Sequence, residues 1–308
     1  MNSIEAMEKE IEHQLHDLKN FEIERKFDKC LFVGSGDSYV ASLAAEYASG
    51  YSSRCCYPMQ LVLNPVLADN RTVCIVSISG KTRANLLAAQ VAKRHHVFAL
   101  AVTANPGSLL ASACDQVVEL KYSSEGVATA GTASFASSMA ACVQLATKLR
   151  FPADMAGLFA EAKILAKRIA RKISSCKGSY FILGSGPLFP SAVYGSLKFH
   201  EVLGAKAFPY CAEEFCHSPL FSIGTKDSMI IMGTGNDNNK VLDAKLRGRG
   251  FTSAYVNFGA KNVIELLFES TFFLQHLILR IALERKLTEC FFIRKQALLK
   301  MSSDFIYG

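Results

Sequence analysis

Residues 72–94 read TVCIVSISGKTRANLLAAQVAKR, a run in which one periodicity gives way to another. Thr72 to Val76 are all β-branched or apolar, which predicts one buried strand of a parallel sheet. From Thr82 onward the apolar residues recur at helical spacing, so a helix is expected to follow the strand. If other segments repeat this unit, the fold is a parallel sheet covered by helices.

The turn between this strand and helix is rich in hydroxyl groups. Ser77, Ser79 and Thr82 lie within six residues, together with Gly80 and without any acidic residue. Hydroxyls and backbone N–H groups at the start of a helix, aided by the helix dipole, favour an anion, most simply a phosphate. The alternative is an ordinary turn in which Ser79 or Thr82 only caps the helix.

The composition is that of a folded protein with a weak preference for anionic ligands. Half of the 308 residues are hydrophobic and a fifth are charged, which excludes a disordered chain. The net charge of +7 is spread out, and its densest cluster, 167–172, lacks interleaved aromatic residues. We therefore expect a solvated helix face there and no nucleic-acid partner.

Cysteine usage and apolar segments indicate the cellular compartment of the protein. The ten cysteines include no C-x-x-C pair, which predicts buried free thiols in a reducing cytoplasm, without disulfides or a metal site. The N-terminal residues are acidic and amphipathic, unlike a signal peptide. The apolar segment 272–282 contains polar residues and is predicted to be too short to cross a bilayer. A soluble cytoplasmic protein without a membrane partner is expected.

Strand and helix patterns alternate through the first half of the chain. Strands are predicted at 30–33, 60–62, 72–76, 97–102 and 116–120. Between them lie helical patterns, the first of them over residues 4–20, and a long helical region is predicted to end near 171. We therefore expect an α/β fold of the doubly wound, flavodoxin-like kind.

The second half of the chain repeats the first. FILGSG at 181–186 repeats LFVGSG at 31–36, an offset of 150 residues. Two tandem domains of similar fold are therefore predicted. We place them at 1–152, which includes an N-terminal helix, and at 153–308, which includes a linker helix and a helical C-terminal tail.

The repeat fails at the hydroxyl-rich turn. Residues 227–242 echo 71–86 at an offset of 156, and Gly233, Gly235 and Asn238 then stand where the first copy has its three hydroxyl residues. We therefore expect one phosphate site, in the first half, and a different contribution from the second half.

One carboxylate of the second half is a candidate base. The sequence PSAVYGSLKFHEV at 190–202 predicts a helix in which Glu201, four residues after Leu197, lies on an apolar stripe. A carboxylate there is costly unless it is paired or used. The alternative is that Glu201 emerges at the helix end and meets Lys198 or Lys206.

A candidate acid follows in EEFCHSP, residues 213–219. Of the seven histidines, only His217 lies in such an acidic turn before a predicted strand. A histidine, whose pKa lies near neutrality, and a carboxylate can together transfer protons on a sugar. The alternative is a structural histidine, which is the commoner case.

These segments together resemble the sugar isomerase (SIS) family. The matching stretches are GDSY at 36–39, SISGKT at 77–82, EGVA at 125–128, GSLKFHE at 195–201 and EFCHSP at 214–219. The two-copy arrangement is similar to the isomerase half of glucosamine-6-phosphate synthase and to stand-alone SIS deaminases and isomerases of sugar phosphates.

The resemblance implies roles for residues of the first half. Ser38, Ser77, Ser79 and Thr82 would hold the phosphate of the substrate, and Ile78 would add a backbone contact. Gly36 and Thr129 would contact the rest of the substrate, a small-molecule phosphosugar.

The resemblance also implies how the second half takes part. Glu201 would move a proton between C1 and C2, His217 would open the sugar ring and Glu214 would support the site. A tail lysine, Lys300 or alternatively Lys295, would complete it. A homodimer with shared active sites and no cofactor is implied.

Three activities remain open at this point. The resemblance favours deamination of glucosamine 6-phosphate, followed by aldose–ketose isomerisation of the phosphoglucose or phosphomannose type. A non-catalytic phosphosugar-binding regulatory protein is the rival, since fold does not settle function. The pairing of Glu201 with His217 favours an enzyme, because a sensor has no need of them. A kinase is excluded by the lack of a G-x-x-x-x-G-K-[ST] loop.

Overall fold

The computed structural model describes the chain except residues 20, 24–26, 148–150, 236–237 and 261. The first sheet consists of β1 (Cys30–Val33), β2 (Arg54–Cys56), β3 (Thr72–Val76), β4 (Ala99–Thr103) and β5 (Gln116–Glu119). The helices of this part are α1 (Ser3–Lys19), α2 (Asp37–Ala48), α3 (Pro58–Leu63), α4 (Arg83–Arg94), α5 (Leu109–Ala113) and α6 (Ala133–Ala146).

The second sheet consists of β6 (Tyr180–Leu183), β7 (Ala207–Tyr210), β8 (Ser228–Gly233) and β9 (Thr252–Asn257). The remaining helices are α7 (Met155–Ile173), α8 (Phe189–Lys198), α9 (Ala212–His217), α10 (Asn239–Arg247), α11 (Val263–Glu284) and α12 (Gln296–Tyr307).

Both sheets are parallel and share one strand order. The first runs β2-β1-β3-β4-β5 and the second β7-β6-β8-β9. In each sheet the chain reverses its direction of travel beside its first strand, so a crevice opens between β1 and β3 and between β6 and β8. The predicted α/β fold with two doubly wound parallel sheets is confirmed.

The chain groups into two compact units. One contains residues 12–125, 131–150 and 295–308, and the other contains 1–11, 126–130 and 151–294. The N-terminal eleven residues thus group with the second sheet and the C-terminal tail with the first.

Two of the element predictions are wrong. Residues 60–62 belong to α3 instead of a strand, and the neighbour of β1 is the earlier β2. Pro58 begins the helix, and the Gln60 side chain accepts the Tyr57 N–H at 2.8 Å, which caps its first turn. The long helical region is two helices, α6 and α7, with Pro152 in the segment between them.

Helix α11 is the core helix of the second sheet's unit. Its 22 residues are long and apolar enough to cross a membrane, so the prediction of insufficient length is wrong. However, 89% of its most apolar window is buried inside the protein. Its contacts include Phe272, whose ring packs edge-on against Phe159 of α7 at 5.2 Å. Burial on all sides explains the apolar sequence without a membrane.

One carboxyl group of α11 is fully buried. Glu269 has 0% exposure. Burial raises the pKa of Glu269 to about 7, and the charge of Glu161 acts in the same direction, whereas the backbone N–H of Gly259 opposes it. Folding therefore favours the protonated form of this group.

We expect Glu269→Gln to raise the free energy of unfolding more at pH 8 than at pH 5, by about 2 kcal/mol. In the unfolded chain Glu269 ionises near its ordinary pKa of 4.5, whereas in the folded protein it stays protonated up to about 7. The native protein therefore loses stability as the pH rises between these values, and the glutamine variant is spared that loss.

Urea unfolding at the two pH values measures this difference. Glu8→Gln, on the exposed side of α1, is the control and should show no such pH dependence. An equal effect of Glu269→Gln at both pH values would contradict a raised pKa.

Candidate functional site

The hydroxyl-rich turn joins β3 to α4 at the carboxyl edge of the first sheet. Ser77 Oγ lies 3.4 Å from Thr82 Oγ1 and accepts the Gly80 N–H at 3.2 Å. Ser79 Oγ accepts the Lys81 N–H at 3.3 Å. The turn thus brings together Ser77 and Thr82, two of the three hydroxyls predicted to hold a phosphate, with Ser79 on the same loop.

The capping alternative does not describe this turn. Thr82 is the N-cap residue of α4, but its side chain makes no capping hydrogen bond. Its carbonyl accepts the Asn85 and Leu86 N–H groups at 3.0 and 3.1 Å. The Asn85 side chain, 2% exposed, donates to the Val76 carbonyl at 3.2 Å and ties the helix to the strand end. The hydroxyl groups are therefore not used to start the helix.

Gly80 is required by close packing beneath the turn. Its φ of +63° disfavours side chains, and a Cβ at this position would lie 2.1 Å from Ser108 Oγ. The hydroxyl of Thr103 donates to the Ile78 carbonyl at 3.1 Å. The segment after β4 therefore supports the turn from below, and the predicted contact of Ile78 would have to use its N–H.

The second predicted phosphate segment follows β1. Gly36, with a φ of +56°, is the N-cap residue of α2, and Ser38 lies in its first turn with 8% exposure. Because β1 pairs with β3, with Val33 opposite Ile75, this segment and the hydroxyl-rich turn are neighbours at one edge of the sheet. The two segments predicted to hold the phosphate therefore follow neighbouring strands, and their contact with a phosphate stays a prediction.

Thr129 is held by the N-terminal helix. Its hydroxyl donates to Glu10 Oε2 at 2.7 Å, and Glu10 is only 6% exposed. A carboxylate therefore fixes the position of Thr129. Its contact with a substrate stays a prediction.

Glu201 lies just beyond α8, in a π-helical turn over residues 199–203. Its side chain is 37% exposed, so the prediction of a buried apolar stripe is wrong. The wide turn breaks the regular spacing from Leu197, and such turns recur at functional sites. The Glu201 carbonyl accepts the Phe292 N–H at 3.0 Å, and Gly204, with a φ of +62°, ends the turn.

Lys198 is the partner of Glu201, as the alternative interpretation held. Its Nζ donates to Glu201 Oε2 at 2.5 Å. The Lys198 side chain is only 1% exposed, and its ammonium lies 5.4 Å from the centre of the Tyr194 ring. A cation so buried requires a counter-charge, which the Glu201 carboxylate supplies. The pair thus holds a partly exposed carboxylate in place through a buried lysine.

His217 and Glu214 lie together on α9 and are exposed. They stand three residues apart and therefore share one face of the helix. Their side chains make no hydrogen bond or ion pair with any residue that the structure describes. The His217 side chain is thus exposed, and its role as an acid and its cooperation with Glu201 stay predictions.

The two candidate tail lysines belong to α12. Lys295 is the N-cap residue of this helix, and Lys300 lies exposed within it. The helix lies beside α4, where Arg83 Nη1 donates to the Gly308 carbonyl at 3.2 Å. Neither lysine is shown to contact a predicted site residue, and their roles stay predictions.

Sequence reasoning missed how deeply Lys198 is buried and how Ser108 supports Gly80. The first had a signal, because Lys198 interrupts an apolar run three residues before Glu201. The second had none, since Ser108 is distant in sequence from the turn it supports.

A double-mutant cycle on Glu201→Gln and Lys198→Met tests the buried pair. We expect Glu201→Gln alone to lower the free energy of unfolding by about 1–3 kcal/mol, because it removes the carboxylate that pairs with the buried Lys198 ammonium. Adding Lys198→Met should restore much of that loss.

The control cycle uses the surface pair Arg280–Glu284, whose N···O distance is 2.9 Å. Its coupling should be about 0.3–0.5 kcal/mol, as for other exposed helix pairs. Urea unfolding gives both couplings, and equal values would contradict a special role for the Lys198 burial.

Comparison with known proteins finds a family match within the first half of the chain. A family model described as the SIS domain matches residues 25–148. Curated relatives include glutamine–fructose-6-phosphate aminotransferase [isomerizing] from Clostridium tetani, which is 25% identical over 248 residues, covering 70% of this chain and 40% of the relative. The Streptomyces coelicolor protein of the same name is also 25% identical, over 246 residues, covering 72% and 40%. The chain spans about two-fifths of the length of these relatives.

Solved structures share the fold over nearly the whole chain. Glucosamine-6-phosphate deaminase from Thermotoga maritima has a TM-score of 0.75 at 20% identity, covering 93% of this chain and 95% of that one. Tagatose-6-phosphate ketose/aldose isomerase from Escherichia coli has a TM-score of 0.67 at 17% identity, covering 92% and 89%. Residues 25–148 thus match an SIS domain, and the chain shares the fold of these two sugar-phosphate proteins.

Proposed function

We propose that the chain is an enzyme that moves a proton between C1 and C2 of a hexose or aminohexose 6-phosphate. The favoured reaction is deamination of glucosamine 6-phosphate. The observation that supports it most is the pairing of Glu201 with the buried Lys198. A buried ion pair adds little net stability compared with apolar side chains, so its presence at a π-helical turn favours a chemical role.

The hydroxyl-rich turn supports a phosphorylated substrate. Ser77, Ser79 and Thr82, with Ser38 from the neighbouring turn, would bind the phosphate oxygens. Binding energy gained at the phosphate is remote from the reacting carbons and fixes them for reaction. In this proposal the turn positions the substrate through its phosphate, and Glu201 transfers the proton.

The proposed reaction converts glucosamine 6-phosphate and water into fructose 6-phosphate and ammonia. His217 protonates the ring oxygen as the C1–O bond of the ring breaks, and the C1 hydroxyl proton passes to water to leave the aldehyde. Glu201 then takes the proton from C2, which gives an enolamine, and returns it to C1. O1 takes up a proton again when the enolamine forms. Water adds to the resulting C2 imine, and ammonia leaves. Acid–base steps of this kind each contribute about 10²- to 10⁴-fold to a rate.

Isomerisation is the second candidate because the same base would interconvert an aldose and a ketose. The named Escherichia coli isomerase has this fold and acts, by its name, on a ketose/aldose 6-phosphate pair. A phosphosugar sensor would use the hydroxyl-rich turn alone.

A homodimer with shared active sites remains part of the proposal.

Two assays separate these functions. The protein is incubated with glucosamine 6-phosphate while ammonia is measured, and with fructose 6-phosphate while aldose is measured. We expect ammonia release by the native protein and a loss in kcat of about 10²- to 10⁴-fold in Glu201→Gln, with sugar-phosphate binding retained. Glu284→Gln is the control carboxylate and should keep full activity.

The double variant Ser77→Ala/Ser79→Ala should instead lose binding, seen as a raised KM. Formation of aldose without release of ammonia would contradict deamination and favour isomerisation as the activity. Binding without turnover of either sugar would contradict an enzyme and favour a sensor.

A further inference from the structure

The second sheet has a cleft of its own at the crevice between β6 and β8. Its volume is about 690 Å³, within the range of small-molecule sites. Described residues that follow β6, β7 and β8 line it, among them Ser185, Pro187, Glu213, Cys216, Thr234 and Asn238. In open parallel sheets this is the position at which ligands bind.

The chemistry of this cleft is unsuited to a phosphate. Gly235 stands where the first copy has Ser79, and its N–H donates to the Tyr255 hydroxyl at 3.0 Å. Among the described residues that line the cleft, none is a lysine or an arginine. The carboxylate of Glu213, which is exposed, would repel a dianion.

The lining offers groups that suit a hydroxylated cation. Glu213 provides a negative charge, and Asn238 provides an exposed side-chain amide. Ser185 Oγ accepts the Ala212 N–H at 3.1 Å, which leaves its own proton for donation. Leu242 and Leu266 form an apolar side of the cleft. A carboxylate, polar groups and an apolar wall match an ammonium group, hydroxyl groups and the C–H face of a sugar ring respectively.

We propose that this cleft binds a hydroxylated primary amine without a phosphate, of which an unphosphorylated amino sugar is the simplest case. The ammonium group pairs with Glu213, and the hydroxyl groups bond to Ser185 and Asn238.

The residues that line the cleft differ from those proposed for catalysis. Glu213 and Cys216 are three residues apart on α9 and line the cleft, whereas Glu214 and His217 of the same helix are not among its lining residues. Variants at Glu213 and Cys216 therefore test the cleft without removing a proposed catalytic side chain.

Isothermal titration with glucosamine as the probe tests this site. It is performed on the native protein and on Ser77→Ala/Ser79→Ala, which disables the proposed phosphate turn. We expect glucosamine to bind both proteins equally, with a Kd on the order of millimolar. Glu213→Gln should weaken binding about tenfold or more, because the ammonium loses its counter-charge. Cys216→Arg should abolish binding by placing a cation and added volume in the cleft.

Glu284→Gln is the matched control and should bind as the native protein does. Glucose, which lacks the amine, should bind at least about tenfold more weakly. Equal binding of glucose and glucosamine, or binding that survives both Glu213→Gln and Cys216→Arg, would overturn the proposal. Loss of glucosamine binding in the double serine variant would show that the sugar occupies the other site and would also overturn it. The outcome is independent of whether the protein turns over a phosphosugar.

Discussion

A buried ammonium needs a counter-charge, and this requirement fixes the position of the Glu201 carboxylate in the second unit. The side chain of Lys198 is 1% exposed and donates to Glu201 at 2.5 Å. The π-helical turn and the hydrogen bond from the Phe292 N–H fix the Glu201 backbone. Glu201 is therefore held both at its backbone and, through Lys198, at its carboxylate. The cost of leaving the cation unpaired keeps the carboxylate in place.

The two sheets share one backbone plan but differ in the side chains at their equivalent crevices. Each has a crevice at the carboxyl edge, between its first strand and the strand that reverses the order. In the first sheet Gly80 packs against Ser108, and hydroxyl groups surround the turn. In the second, a tyrosine hydroxyl takes the Gly235 N–H, and Glu213 brings negative charge. This difference between the side chains of equivalent loops supports the proposal that the two crevices bind different ligands.

The sequence predicted what depends on local pattern and failed where packing decides. Strands β1 and β3 were predictable because both faces of a parallel strand are buried and its residues are uniformly apolar. The segment 60–62 contains the apolar residues Leu61 and Val62, but Pro58 and the cap from Gln60 make it helical. The i, i+3 spacing of Lys198 and Glu201 allowed an ion pair but did not indicate how deeply Lys198 is buried. The contact of Ser108 with Gly80 was not predictable because it joins segments that are far apart in sequence.

Deuterium exchange at C1 tests most directly whether Glu201 is the base that moves the proton. Fructose 6-phosphate is incubated with the protein and ammonium in D₂O, and the C1 protons are followed by ¹H NMR. The proposed mechanism predicts that the native protein exchanges one of the two C1 protons and that Glu201→Gln does so at least about 10²-fold more slowly. Exchange by Glu201→Gln at the native rate would contradict the role of Glu201.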